Sequence, residues 1–550
     1  MTKVPLGQFT IAALVISAML AASGCGESGG AVRTPPPPAP APAPPPPSGP
    51  TFTPGVFEPA SQFKDRCEVV RTGVDIEGNS FPDLAGSLLE ENFWLRSWTN
   101  ETYLWNTEVV DQDPAGFADR LAYFAVLRTT AQTASGKDKD DFHFSQPTDE
   151  FLAARNSTPL AGYGARLIAF SSSIPRDFRI LFTEPGSPAA QLVMGEANMI
   201  RGTKILEVDG VDLINAGSQA EVDVLNNGLF PATVGEVHTF LVEDPGGLPR
   251  TIMMTSANIA SKPVNRTNII DTPTGKVGYM LLNTFSPFSS EKEIADAITA
   301  MKAGGVADLV LDLRYNGGGL LAVASQLGYM IAGDAQTAGK IYELLRFNAA
   351  AGNTNPVTGG LNEPLPFFDT GLGFSLADGT PLDTLDLPRV FVLSTEGTCS
   401  ASESVINALR GIDVEVILIG DTTCGKPFGF FPQDNCGETY FTIQFQGDND
   451  KGFGDYTDGF VPMDSSDLFG VKVPGCVIAD DFDSELSDPT ERLLATALEY
   501  RQTGVCPSPP IAQAPSGVSA ASVKESGIAP IDLRTSKDIM QNNRDMTMPN

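Results

Sequence analysis

Ser400 and Lys426 are the residues of this 550-residue chain whose types and spacing most directly suggest chemistry. They lie 26 positions apart in FVLSTEGTCSASESVINALRGIDVEVILIGDTTCGKPFG, residues 391–429. A serine nucleophile needs a base to take its proton. The chain has only two histidines, His143 and His238. His238, in EVHTF, reads as an exposed strand position, and His143, in DFHF, lies beside an acidic loop. Both read as surface or satisfied structural residues, so the base must be another group. A lysine serves when desolvation lowers its pKa towards the working pH. Lys426 qualifies by following a buried strand, among Cys424, Gly425, Pro427 and Phe428. The competing role for Ser400 is simpler, because serine caps the free N–H groups of a helix start. Cys399, one residue earlier, is a conceivable second nucleophile that reads better as structural or disulfide-bonded.

The elements that must position these groups follow from the apolar pattern. Val390–Leu393 is an apolar run ended by Thr395-Glu396-Gly397, which predicts a buried strand and a turn. Val405, Ile406 and Leu409 predict a helix from Ser400 to Leu409. Val414–Ile419 predicts a second buried strand, closed by Gly420. The segment GDTTCGK, Gly420–Lys426, also fits most of a phosphate-binding loop. Pro427 replaces the magnesium-holding Ser or Thr, and the following Phe/Pro/Gly residues do not begin a helix, which argues against nucleotide binding and leaves it a third reading that would require magnesium-dependent nucleotide affinity.

Ser400-Ala401-Ser402-Glu403 followed by Gly425-Lys426 resembles the active-site segment of the C-terminal processing peptidases, or tail-specific proteases, which use a Ser/Lys dyad. Leu311-Asp312-Leu313-Arg314-Tyr315-Asn316-Gly317-Gly318-Gly319 is similar to that family's D-L-R-x-N-x-G-G turn. The resemblance extends as a domain order over roughly residues 57–505, with the specific motifs confined to these two segments. It implies Ser400 as nucleophile, Lys426 as general base, and an oxyanion hole from the N–H of Ala401 and one N–H of the Gly317/Gly318 turn. Glu403 is expected to support the loop or helix start. The spacing is one residue longer than the family's. Phe430 stands where the family often places a glutamine that orients the lysine, so either Gln433 substitutes for it or the lysine is oriented differently.

Residues 276–282 predict a strand, 291–303 an amphipathic helix, 307–313 a second strand, and 320–332 a further helix. This alternation argues an α/β domain over 261–505, with a mixed sheet covered by helices. Residues 159–260 resemble a PDZ module. Tyr163-Gly164-Ala165 is similar to its carboxylate-binding loop, Pro185–Ala190 to a helix start, and Gly202–Gly210 to a strand and turn. Aromatic and aliphatic residues at helical spacing, including the three tryptophans, predict a helical domain over 57–158. The expected fold is thus multidomain α+β.

At the N-terminus, the apolar run Ile11–Leu20 before Ala-Ala-Ser-Gly-Cys suits a secretory signal over residues 1–25. Its end resembles a bacterial lipobox, which implies lipidation of Cys25, and Gly26 fits outer-membrane retention on the periplasmic side. Residues 26–56 read as a Pro-rich, extended linker. Of the six later cysteines, Cys424 and Cys436 flank an irregular loop and are the favoured disulfide pair. No C-x-x-C spacing supports zinc, and no cofactor is called for. Thirty-six basic against 67 acidic residues, a net charge of −31, disfavours nucleic acid as a partner. Residues 506–550 read as a disordered tail. The reading is a periplasmic, lipid-anchored serine endopeptidase acting on proteins with accessible C-termini. A catalytically silent peptide-binding protein is the alternative, and oligomeric state is open.

Overall fold

The computed structural model describes residues 49–507 and 544–548. The expected signal segment, Cys25 and the Pro-rich stretch through residue 48 lie outside them. Among the described residues no helix is long and apolar enough to cross a membrane.

A six-stranded sheet organises the centre, in the order Val264–Ile270, Lys276–Leu282, Val306–Asp312, Arg389–Ser394, Glu415–Gly420, Gly475–Val477. The first pair is antiparallel and every later pair parallel, with Met280 opposite Leu311, Val310 opposite Phe391, and Val392 opposite Leu418. Alternate side chains point to opposite faces of a strand. Met280, Leu282, Leu309, Leu311, Val390, Val392, Val416 and Leu418 meet Ile294, Ile298, Leu327, Val405 and Leu409 from helices Ser289–Gly304, Leu321–Ala332 and Ala401–Gly411. On the opposite face Tyr279, Leu281, Phe391, Leu393, Ile417 and Ile419 meet Leu493, Leu494 and Ala497 of helix Arg492–Thr503. Burial on both faces is why these strands read as unbroken apolar runs.

A second sheet runs in the order Arg250–Thr255, Val237–Glu243, Lys204–Val208, Asp177–Thr183, Ala165–Ser171. With helix Gln219–Leu229 it closes its own core around Phe178, Ile180, Val208, Leu225, Phe240 and Val242. That helix begins with Ser218 and Glu221 in a reciprocal capping box. Pro185–Ala190, expected to start a helix, forms turns instead. Ile168, Leu181 and Phe182 join the core on the second face of the central sheet. Arg201, fully buried, continues this junction by donating to Tyr315 Oη at 2.5 Å and Asp480 at 2.9 Å.

The N-terminal stretch is less helical than its aromatic spacing predicts. Helices Leu88–Thr102, Arg120–Phe124 and Thr148–Arg155 are separated by irregular chain. Its apolar residues do not close on themselves. Trp94 and Trp98 stack at 5.0 Å and pack with Tyr440, and strand Phe144–Pro147 pairs antiparallel with Glu438–Phe441. The disulfides correct the expected pairing of Cys424 with Cys436: the bonds are Cys67–Cys436, Cys399–Cys424 and Cys476–Cys506. Spatial neighbourhood, not closeness along the chain, decides a disulfide. The C-terminal stretch also departs from expectation. Residues 508–543 lie outside the described residues, but Arg544–Asp545 form a strand parallel to Gly319–Leu320.

Candidate active site

Three adjacent parallel strands end side by side, and each carries one part of the site. Val306–Asp312 leads to the glycine turn, Arg389–Ser394 to Ser400, and Glu415–Gly420 to Lys426. The carboxyl ends of parallel strands are where an α/β sheet presents residues to a ligand.

Ser400 sits between its strand and helix Ala401–Gly411 with φ 59° and ψ −111°. A non-glycine residue holds such a backbone only where its surroundings force it, and such strain collects at functional sites. The forcing contacts are identifiable. Thr398 Oγ1 donates to the Leu313 carbonyl at 2.9 Å, and Cys399 N–H and Ser402 Oγ both donate to the Asn316 carbonyl at 3.0 Å. These bonds lock the serine turn onto the glycine turn. Ser400 is fully buried and faces Glu403 across the helix start in a capping-box arrangement, yet its Oγ has no partner within hydrogen-bond distance among the described residues. A buried hydroxyl left unpaired costs free energy and calls for a functional reason.

Glu403 joins the serine to the lysine. One carboxylate oxygen accepts the N–H of Ser400 at 2.9 Å and of Lys426 at 2.8 Å; the other accepts Gly425 N–H at 2.8 Å and Thr423 Oγ1 at 2.5 Å. Sharing one oxygen brings the Ser400 and Lys426 backbones within about 6 Å of each other. Burial pushes the Glu403 pKa up, and the donors from Thr423, Lys426, Gly425 and Ser400 oppose that shift. The Cys399–Cys424 disulfide makes the same connection covalently, one residue before Ser400 and two before Lys426. Both sulfurs are thereby consumed. Cys399 cannot act as a nucleophile, and the cluster Cys399, Glu403 and Cys424 offers no thiolate to a metal.

Lys426 is fully buried, and its Nζ stands 4.7 Å from the ring centroids of both Phe142 and Phe430. Phe430 thus forms a wall of the lysine pocket. Gln433 does not replace the absent glutamine. It belongs to strand Gln433–Asn435, opposite Tyr440, and its side chain donates to the Asp434 carbonyl at 3.3 Å. Phe142 comes from the N-terminal stretch, and no motif in the sequence marks it.

In the glycine turn, Gly318 has φ 113° and Gly319 φ 136°, which L side chains rarely adopt. A Cβ at Gly319 would lie 2.3 Å from the Phe285 backbone. Of the two expected oxyanion donors here, Gly318 N–H is already donated to Asn316 Oδ1 at 2.9 Å, so that assignment moves to Gly317. Ala401 opens its helix, where N–H groups have no acceptor within the helix. Beneath the turn, fully buried Arg314 pairs with Asp312, Asp480 and Glu491 at 2.9, 2.7 and 2.9 Å.

The residues of the expected peptide-binding loop lie elsewhere. The Tyr163 ring is buried in the second sheet's core, 5.4 Å from that of Phe240, and Ala165 opens a strand opposite Thr183. Gly164 has φ 71°, and a Cβ there would meet Ser187 at 2.3 Å. The histidines lie outside the serine turn. His143 is bonded to Thr442 Oγ1 and the Phe124 carbonyl, and His238 to Asp209.

Residues 276–433, which contain the glycine turn, Ser400 and Lys426, match the model of peptidase family S41. The chain is 30% identical over 249 residues to a carboxyl-terminal-processing protease of Picosynechococcus sp., covering 45% of this chain and 50% of that protein. It is 25% identical over 360 residues to a chloroplastic C-terminal processing peptidase of Tetradesmus obliquus, covering 62% and 65%. The chain therefore spans about half the length of the first relative and just under two thirds of the second. A candidate S41 protease of Bacteroides fragilis has a solved structure similar in fold, with a TM-score of 0.56 at 22% identity over 78% of this chain and 99% of that one. The segment that matches the S41 model holds the serine turn, the glycine turn and the lysine together.

Proposed function

We propose that the protein is a serine endopeptidase in which Ser400 attacks a peptide carbonyl and Lys426 takes its proton. The observation that carries this reading is the buried, strained, unpaired Ser400 hydroxyl, held beside the Lys426 backbone by Glu403 and a disulfide. Attack forms a tetrahedral oxyanion, which Ala401 N–H and Gly317 N–H would stabilise. Collapse expels the amine with the proton returned from Lys426 and leaves an acyl-enzyme that water hydrolyses. Glu403 holds the two turns in register and transfers no proton.

The second sheet, with the tight Gly164 turn, supports a PDZ-like role in which backbone N–H groups near Tyr163, Gly164 and Ala165 capture a substrate C-terminus. Protein substrates with accessible C-termini are the partners we propose. Three disulfides suit an oxidising compartment, in keeping with export and anchoring through Cys25 in the bacterial outer membrane. A second reading, a peptide-binding protein with a silent centre, is favoured by the missing bond between Ser400 Oγ and a base. Catalytic hydrogen bonds often tighten only when substrate binds.

A fluorophosphonate probe separates the two readings. Mass mapping of the labelled protein is expected to place the adduct on Ser400, with none in Ser400→Ala. An unlabelled Ser400 in a protein that still cleaves substrate would refute the assignment.

A further inference from the structure

Arg544–Met548 enters between two walls of the proposed catalytic centre, its first two residues, Arg544–Asp545, forming a strand. On one side Gly319 and Leu320, which continue the glycine turn, pair in parallel with Arg544 and Asp545. On the other, Phe430 forms a parallel bridge with Asp545, and Met546 N–H donates to the Phe430 carbonyl at 3.2 Å. The ring of Phe430 is the one that packs on Lys426 Nζ. Asp545 is 6% exposed, and its carboxylate accepts Thr547 N–H and Oγ1, both at 2.7 Å. Met546 packs against the main core. The segment thus bridges the wall carrying the oxyanion turn and the wall carrying the base, while neither Ser400 nor Lys426 reaches solvent.

We propose that the groove between Gly319–Leu320 and Phe430 is the strand-accepting site of this centre, and that Arg544–Met548 fills it in cis and holds the protein in a self-inhibited state. The proposal rests on the Ser400/Lys426 reading for its consequence, though not for the docking itself. Main-chain pairing on both sides accepts an extended strand with little regard to its side chains. The occupant that displaces the segment is therefore an extended polypeptide, the form in which an unfolded substrate arrives.

The test uses the full chain with Met546→Pro, which removes the N–H donated to Phe430, and separately Asp545→Lys, which places an ammonium where a buried side chain must go. Both variants are expected to cleave an unfolded protein with about tenfold higher kcat/KM than the unsubstituted chain. A fluorescein-labelled peptide of residues 541–550 is expected to bind both variants by anisotropy, to inhibit them competitively, and to bind the unsubstituted chain far more weakly. Unchanged rates without peptide binding would overturn the proposal. Faster variants that fail to bind the peptide would also overturn it, because activation would then not come from emptying this groove. Peptide binding to variants that cleave nothing would leave the docking standing and remove the Ser/Lys reading.

Discussion

At the scale of single residues, Glu403 is the side chain on which the site's geometry depends most. Its two oxygens receive donors from three backbone positions and one hydroxyl, so both must be acceptors. Glu403→Gln turns one acceptor into an NH2 facing buried donors. We expect a loss of about 3 kcal/mol in stability, read by urea denaturation, with a lower kcat from loosened turns. Phe430 makes a sharper test of the base. Phe430→Gln places an amide acceptor where a ring now faces Nζ, which favours the charged lysine. A base must be neutral to act, so the rising limb of kcat/KM against pH should move up by about one unit. A limb that stays in place would argue against Lys426 as the base. Ser400 and Lys426 were legible in the sequence as a candidate pair because neither of the two histidines had a plausible set of catalytic partners, and the structure brings the two turns together. Phe142 was not, because its contact with Lys426 joins residues far apart in the chain and no spacing rule reports it.

At the scale of elements, the site is a product of three neighbouring strand ends, and what links them decides its rigidity. The Cys399–Cys424 disulfide spans two such ends. A Cys399→Ser/Cys424→Ser double variant is expected to lose about 3 kcal/mol of stability and to show a lower kcat with KM little changed, because the dyad is loosened and substrate contacts are not. The strands were legible because burial on both faces leaves continuous apolar runs. The cysteine pairing was not. Cys399 and Cys424 meet only because strands Arg389–Ser394 and Glu415–Gly420 are neighbours, and sequence proximity pointed instead to Cys436. Arg314 anchors the glycine turn from below, and Arg314→Met would leave Asp312, Asp480 and Glu491 without their shared cation. A destabilisation of about 3–5 kcal/mol is expected by denaturation.

At the scale of the molecule, the N-terminal stretch is part of the site's housing, as Phe142 at the lysine and the Cys67–Cys436 bond both attest. His143 ties this stretch to the residues that follow the lysine, through Thr442. Burial, against the opposing pull of Asp140, holds its pKa below the usual histidine value. The unfolded chain therefore takes up a proton there that the folded chain resists, and stability is lost as pH falls below about 6.5. Denaturation midpoints should drop on the acid side with a slope of up to about 1.4 kcal/mol per pH unit, and His143→Gln should flatten that slope. The aromatic run was legible as buried but not as packed on Tyr440, because periodicity reports a buried face and not its partner. The central claim, a Ser400/Lys426 peptidase, is tested most directly by following cleavage of an unfolded protein with an apolar C-terminus. The full chain would be compared with Ser400→Ala and Lys426→Ala, each shown to be folded by its denaturation curve. The account predicts cleavage by the full chain and a fall of about 1,000-fold or more in both variants; cleavage surviving in folded Ser400→Ala would contradict it.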